Sequence, residues 1–296
     1  MASVTPLVNP SRSAHIGAFQ GQPAVTLCTA SGARATVLLH GAHVVSWIPA
    51  GGSERLYLSE RSAFGDGTAV RGGVPVIFPQ FNLRGPDFSL PKHGFARTRS
   101  WSIDPDGRDD GAGDTAVARF RLEDDAATRA MWPHAFSLTL TVSLRAHTLD
   151  LALSVCNRGA EPLDFTAALH TYLQVADISQ VSVGGLQGLR YLDTVTNLAD
   201  VGVGADLTFQ SETDRIYYEV PGPVTLAAPD GRLDVSMEGF RDVVVWNPWA
   251  ERCASLPDMP PDGYRRMVCL EAAVIEQPVR LAVDGSWLGR QSLTSS

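Results

Sequence analysis

The chain has 296 residues, 44% of them hydrophobic and 19% charged, a globular composition that can bury a large core and is incompatible with disorder as the main state. Its formal net charge of -8 opposes sequence-independent attraction to nucleic acid or to an anionic membrane surface, both of which depend on a positive field. No stretch approaches the roughly 20 apolar residues of a membrane span, and the first 20 residues lack a basic start, an apolar centre and a small-residue cleavage site. The four cysteines, Cys28, Cys156, Cys253 and Cys269, lie far apart. They have neither the short paired spacing of a zinc site or redox dithiol nor the density of a disulfide framework. A cytoplasmic protein that keeps its thiols reduced is the expectation.

From the N-terminal side, runs of alternating or continuous apolar residues follow one another along the chain. They are "TVLLHGAHVVSWI", "TAVARFRL", "FSLTLTVSL", "LDLALSVCN", "PLDFTAALHTYLQV", "DRIYYEV", "PVTLAAP", "RLDVSMEGF", "DVVVWNPW", "RMVCLEAAVI" and "PVRLAVDG". Clusters of Gly, Pro, Asp and Asn such as "PAGGSE", "DPDGRDDGAGD" and "VPGP" separate them with turn chemistry. One helical turn is expected, in "DDAATRAMW" at 124–132, where an Asp precedes Ala-rich spacing. Strands without alternating helices point to an all-β, large antiparallel β-sandwich with at most short helical turns. No composition shift marks a domain boundary, so residues 1–296 read as a single β domain with 1–20 and 290–296 peripheral. The acidic, Gly-rich segment 104–114 reads as a hairpin loop.

Three stretches carry chemistry. The first runs from "VRGGVPVIFPQFN" to "LPKHGFAR" and gathers Arg71, Gln80, Lys92, His93 and Arg97 into one connection. The paired glycines permit positive φ and close backbone approach, and the arginine forks suit a phosphate or carboxylate. In the second, "AALHTYLQV", alternation puts His170, Tyr172 and Gln174 on one face and Ala167, Leu169 and Thr171 on the other. His170 there is either a hydrogen-bonded structural residue or a general acid. The third is "RRMVCLEAAVI", whose Glu271 is embedded among apolar residues. It is either a structural ion pair with Arg265 or Arg266 or a base whose pKa burial raises. Asp214, beside Arg215, reads as a strand cap or as an acceptor for sugar hydroxyls. Phe78, Phe81, Tyr172, Trp246 and Trp249 could stack on a sugar or fill the core. His40 and His43 read as structural. No phosphate-binding Gly loop, serine-nucleophile elbow or zinc-protease motif occurs.

The motifs "VRGGVPVIFPQF", "PKHGFAR", "ALHTYLQV", "ETDRIYYEV", "VVWNPW" and "DMPPDGYRRMVCLEA", in this order between positions 70 and 272, resemble those of the glucose-6-phosphate 1-epimerases. These are the hexose-6-phosphate mutarotases of the aldose 1-epimerase, or galactose mutarotase-like, superfamily. The resemblance implies a β-supersandwich that interconverts the anomers of a hexose 6-phosphate without metal or other cofactor. It implies a small-molecule sugar phosphate as partner, with neither nucleic acid nor membrane involved, and a monomer is expected. By the same resemblance His170 is the general acid and Glu271 the general base. Arg71 and Arg97 match the family's phosphate- and sugar-contacting arginines, with His93 beside them, and Asp214 its hydroxyl-binding Asp; Gln80 and Lys92, from the same donor-rich loop, are expected to bind substrate as well. Two positions depart from the pattern: Asn82 stands where related sequences usually carry Gly, and Lys92 occupies a variable position and offers an additional phosphate contact. Two other readings stay open, an aldose 1-epimerase for unphosphorylated sugars and a sugar-binding sandwich without chemistry.

Overall fold

The computed structural model describes residues 13–65, 67–83, 90–104, 113–202 and 204–296. Most of the acidic loop, 105–112, lies outside them. Three antiparallel sheets account for the strands among the described residues. The first is a four-stranded meander of β1 (Ser13–Phe19), β2 (Gln22–Cys28), β3 (Arg34–Leu38) and β4 (Val44–Ile48), with β1 at its edge. The run expected as one strand from 36 to 48 turns at Gly41 and Ala42, both at positive φ. His40 and His43 therefore sit in a connection, and their Nε2 atoms bond the carbonyls of Thr68 and Gly72 at 2.7 Å each. Burial lowers His43 to about 4, as befits a neutral structural imidazole.

The second sheet has eight strands and carries the chemistry. Its order is β14 (Leu198–Val201), β13 (Arg190–Asp193), β16 (Thr213–Tyr217), β19 (Asp242–Asn247), β20 (Met267–Leu281), β10 (Leu163–Leu169) and β5 (Val76–Ile77), with β11 (Tyr172–Gln174) also paired to β20. The third sheet has nine strands: β15 (Leu207–Thr208), β12 (Ser182–Gly184), β17 (Val224–Ala228), β18 (Gly231–Glu238), β21 (Ser286–Ser295), β9 (Thr148–Asn157), β8 (Phe136–Leu144), β7 (Ala116–Glu123) and β6 (Ser102–Ile103).

Period-2 alternation sorts the faces. On β9, Leu149, Leu151, Leu153 and Val155 are fully buried in the main core while the residues between them are partly exposed, the one-face burial typical of an antiparallel outer sheet. On β20 both faces are buried from Met267 to Ile275. Val268, Leu270, Ala272 and Val274 enter the main core, and Cys269, Glu271, Ala273 and Ile275 face the other way.

Two expectations need correction. Residues 290–296 are not peripheral: β21 lies between β18 and β9, paired over most of its length with each, and Leu293 is fully buried. A polar tail in composition, it alternates like an interior strand. The helical turn of 124–132 is α1 (Ala126–Met131), closed by a capping box in which Asp125 accepts from Thr128 N and Thr128 Oγ1 accepts from Asp125 N. A second short helix, α2 (Trp249–Ala254), was not expected. It follows "WNP", where Asn247 ends β19 and its Oδ1 accepts the Trp249 N–H at 2.8 Å.

Candidate active site

Four adjacent strands present one row of side chains to the same face of the eight-stranded sheet. In register, Asp214 on β16 stands opposite Trp246 on β19, Val244 opposite Glu271 on β20, and Cys269 opposite Tyr172 on β11. Because alternate residues share a face, Asp214, Val244, Trp246 and Glu271 all open into one cavity of about 420 Å³, together with His170, His93, Lys92 and Arg71. That size suits a small ligand.

The strand expected from 162 to 175 is interrupted between β10 and β11, at His170 and Thr171. The register with β20 is the same on either side, Leu169 opposite Ala272 and Tyr172 opposite Cys269. His170 therefore lies across from Glu271, and Thr171 across from Leu270. His170 Nε2 approaches Glu271 Oε1 at 3.3 Å, with the carboxylate side chain 1% exposed. His170 stacks on Tyr172 at 4.8 Å between centroids with 10° between planes, and meets the edges of Trp246 and His93. Gln174, expected on the same face, lines a separate cleft with Val175 and Ala176.

Both members of the pair are pushed toward their uncharged forms. Burial, reinforced by nearby Asp214, raises Glu271 well above the usual carboxylate range, against the opposing pull of Lys92 and Arg97. Burial, then the charges of Arg97 and Arg71, lowers His170 well below the usual imidazole value. Glu271 Oε2 and His170 Nδ1 are buried without a partner among the described residues, and such atoms are costly unless something bonds them. Neither Arg265 nor Arg266 pairs with Glu271; Arg266 meets Glu60 instead, at 3.9 Å. The Cys269 ligand atom lies within 4.8 Å of those of His170 and Glu271. Burial, with Glu271 adding to it, raises the thiol well above its usual value, which disfavours the thiolate form.

The cations enter from loops and a helix. Gly72 and Gly73, after Arg71, both have positive φ. A Cβ would overlap Tyr57 O at the first and Val44 O at the second, so only glycine lets this loop pass. Arg71 is held from two sides: its Nε and a terminal nitrogen each donate to Asp258 Oδ2 at 3.1 Å, and its other terminal nitrogen to the Tyr172 hydroxyl at 3.0 Å. Lys92 and Arg252, the latter on α2, are exposed at the rim.

Arg97 and Gln80 do not line this cavity. Arg97 donates to Lys92 O at 3.0 Å and borders a neighbouring cleft, though its charge acts on His170 and Glu271. Gln80 is fully buried and donates to Asn82 O. Asn82 sits at φ 51, a left-handed conformation that Gly favours and Asn tolerates. Its N–H donates to His93 Nδ1 at 3.2 Å. That bond fixes His93 as the Nε2–H tautomer, because Nδ1 must carry the lone pair.

Of the aromatic candidates, Phe81 and Trp246 line the cavity and Tyr172 backs His170. Phe78 packs in the core against Phe95, Trp132, Phe136 and Phe165, and Trp249 packs on Tyr264. Sequence reasoning missed Arg252, Glu212, Thr194 and Asp258. The first three line the cavity, and the signal for them was absent because each belongs to a turn or helix end whose direction depends on distant packing.

The family model described as aldose 1-epimerase matches residues 23–294. A protein of Cenchrus ciliaris described as a "putative glucose-6-phosphate 1-epimerase" is 34% identical over 284 residues, 93% of this chain and 85% of that one. A Salmonella typhimurium protein with the same description is 38% identical over 261 residues, 84% of this chain and 85% of its own. The crystal structure of a "putative mutarotase" from Salmonella typhimurium superposes with a TM-score of 0.86 at 30% identity, covering 99% of this chain and 96% of that one. The family model spans almost all of the chain and the relatives share a third or more of its residues, so the chain belongs to the aldose 1-epimerase family.

Proposed function

We propose that the protein interconverts the α and β anomers of hexose 6-phosphates, glucose 6-phosphate first among them, by acid-base ring opening and closing. The observation that carries this reading is the buried His170 and Glu271 contact of 3.3 Å on the floor of a cavity rimmed by Arg71, Lys92 and Arg252. Glu271 takes the proton of the anomeric hydroxyl while His170 gives one to the ring oxygen, and the bond between the anomeric carbon and the ring oxygen breaks. Rotation about the bond to the aldehyde carbon, followed by the reverse transfers, closes the other anomer.

The pair needs only one proton between its members. Burial favours that proton on Glu271 in the free protein, and a transfer along the Nε2 to Oε1 contact arms His170 without a proton from solvent. A positioned acid or base contributes roughly 10²–10⁴-fold. Asp214, facing the same cavity, is the acceptor for sugar hydroxyls, and His93 offers its Nε2–H as a donor.

Arg71, with Lys92 and Arg252, supports a phosphorylated substrate, since a neutral sugar gives no use for three cations around one cavity. Arg97 contributes through its charge alone. Fresh α-glucose 6-phosphate is followed by polarimetry or NMR exchange; a rate no faster than the spontaneous one defeats the proposal. Enhancement with glucose or galactose and none with the phosphate would assign the unphosphorylated substrate instead.

A further inference from the structure

The gap at His170 removes a ladder bond, and a residue of the opposite sheet fills it. Thr171 and Leu270 face each other where an antiparallel pair exchanges two backbone bonds. One is present, from Leu270 N to Thr171 O at 3.0 Å. The other donor, Thr171 N, has turned back onto Leu169 O at 3.0 Å. Leu270 O, buried in the core, accepts instead from Gln291 Nε2 at 3.1 Å, and Gln291 Oε1 accepts the Thr171 hydroxyl at 2.6 Å. Gln291 is fully buried on β21 of the nine-stranded sheet, among aliphatic neighbours where an amide has no place unless it bonds.

We infer that Gln291 is a positioning residue: it clasps Thr171 and Leu270, the residues adjoining His170 and Glu271, and so holds the strand break that sets the imidazole against the carboxyl. The inference rests on the acid and base roles proposed above. Without the amide, Leu270 O is satisfied only if Thr171 N swings back into the ladder. That movement carries the backbone of His170 with it, whose own N–H is tied to Pro75 O at 3.0 Å. Displacement of about 1 Å at a reacting group costs on the order of 10²-fold in rate. Substrate contacts are made by other residues, so binding is spared.

The test uses Gln291→Met, which keeps length and loses both bonds, and Thr171→Val, which keeps the branched shape and loses the hydroxyl. Should the first not fold, the second carries the measurement. For Gln291→Met, kcat is expected to fall about 10²-fold with KM within about twofold, and for Thr171→Val by a smaller factor in the same direction. The His170 ring nitrogen resonances are expected to move in ¹⁵N NMR while those of His43 stay in place. A purely structural role would lower melting temperature and leave kcat per folded molecule and the His170 resonances unchanged; that result overturns the inference. Glu271→Gln and His170→Ala are assayed alongside. If both retain turnover, the acid and base reading falls; if both lose it while Gln291→Met and Thr171→Val do not, only the positioning inference falls. The NMR arm reports on the clasp independently of either.

Discussion

Replacing Glu271 by Gln should stabilise the fold increasingly as pH rises, and abolish turnover. The carboxyl is fully buried and its pKa stands well above 4.5 because burial disfavours the anion. Above pH 4.5 the unfolded chain ionises this group while the native state keeps its proton, so the native state loses stability relative to the unfolded one as pH climbs. The linkage slope for one such group is about 1.4 kcal/mol per pH unit, persisting until pH reaches the native pKa. Glutamine has the shape of the protonated acid and no charge to lose, so the difference in stability between variant and parent grows with that slope. His170, buried in both proteins, cancels from the difference. Urea unfolding at pH 5, 6, 7 and 8 measures it. Parallel pH profiles for the two proteins would mean that Glu271 is ionised in the native state, and would refute the reasoning. Turnover of the same variant should drop by roughly 10²–10⁴-fold, toward the uncatalysed rate; a variant at parental rate would remove Glu271 from the base role.

Three other outcomes follow from the site and the fold. The His170 imidazole should show no titration step near 6.5 and should protonate only at distinctly lower pH, since burial and then Arg97 and Arg71 depress it; a step at or above 6.5 in an NMR titration contradicts this. Arg71→Ala should raise KM for glucose 6-phosphate by about 10- to 100-fold, the worth of one charge-assisted hydrogen bond, and leave any activity on glucose nearly unchanged. Asp125→Ala should cost about 1 kcal/mol of stability through loss of the α1 cap, read by urea unfolding, with kcat unaffected; an effect on kcat would tie α1 to the site.

What was legible in the sequence is what depends on period and neighbours. Alternation in "VCLEAAVI" places Glu271 opposite the core face, and apolar flanks announce its burial. The acid capping "AATRAM" announces α1, and "RGG" announces a loop pressed against other backbone. What was not legible depends on partners far along the chain. Arg97 follows "HGFA" within the same connection as Arg71, yet its guanidinium turns to Lys92 O. Asp258, which anchors Arg71, lies 187 residues away in sequence. The strand break at His170 leaves no mark in "AALHTYLQV", because the residue that bonds across it, Gln291, comes from the other sheet, and β21 itself reads as a polar tail until its neighbours β9 and β18 are known.

The division of labour between sheet and loops bears on how such a protein diversifies. Glu271 stands on β20 and His170 in the strand break directly across from it, whereas Arg71, Lys92 and Arg252 arrive on a glycine loop, a surface connection and a helix of six residues. Under the function proposed, exchange of the exposed Lys92 and Arg252 is expected to alter which sugar is retained, while Arg71, bonded to the Tyr172 hydroxyl beside His170, is tied to both parts. On that reading, substrate choice in this scaffold is open to selection, or to an engineer, one rim residue at a time.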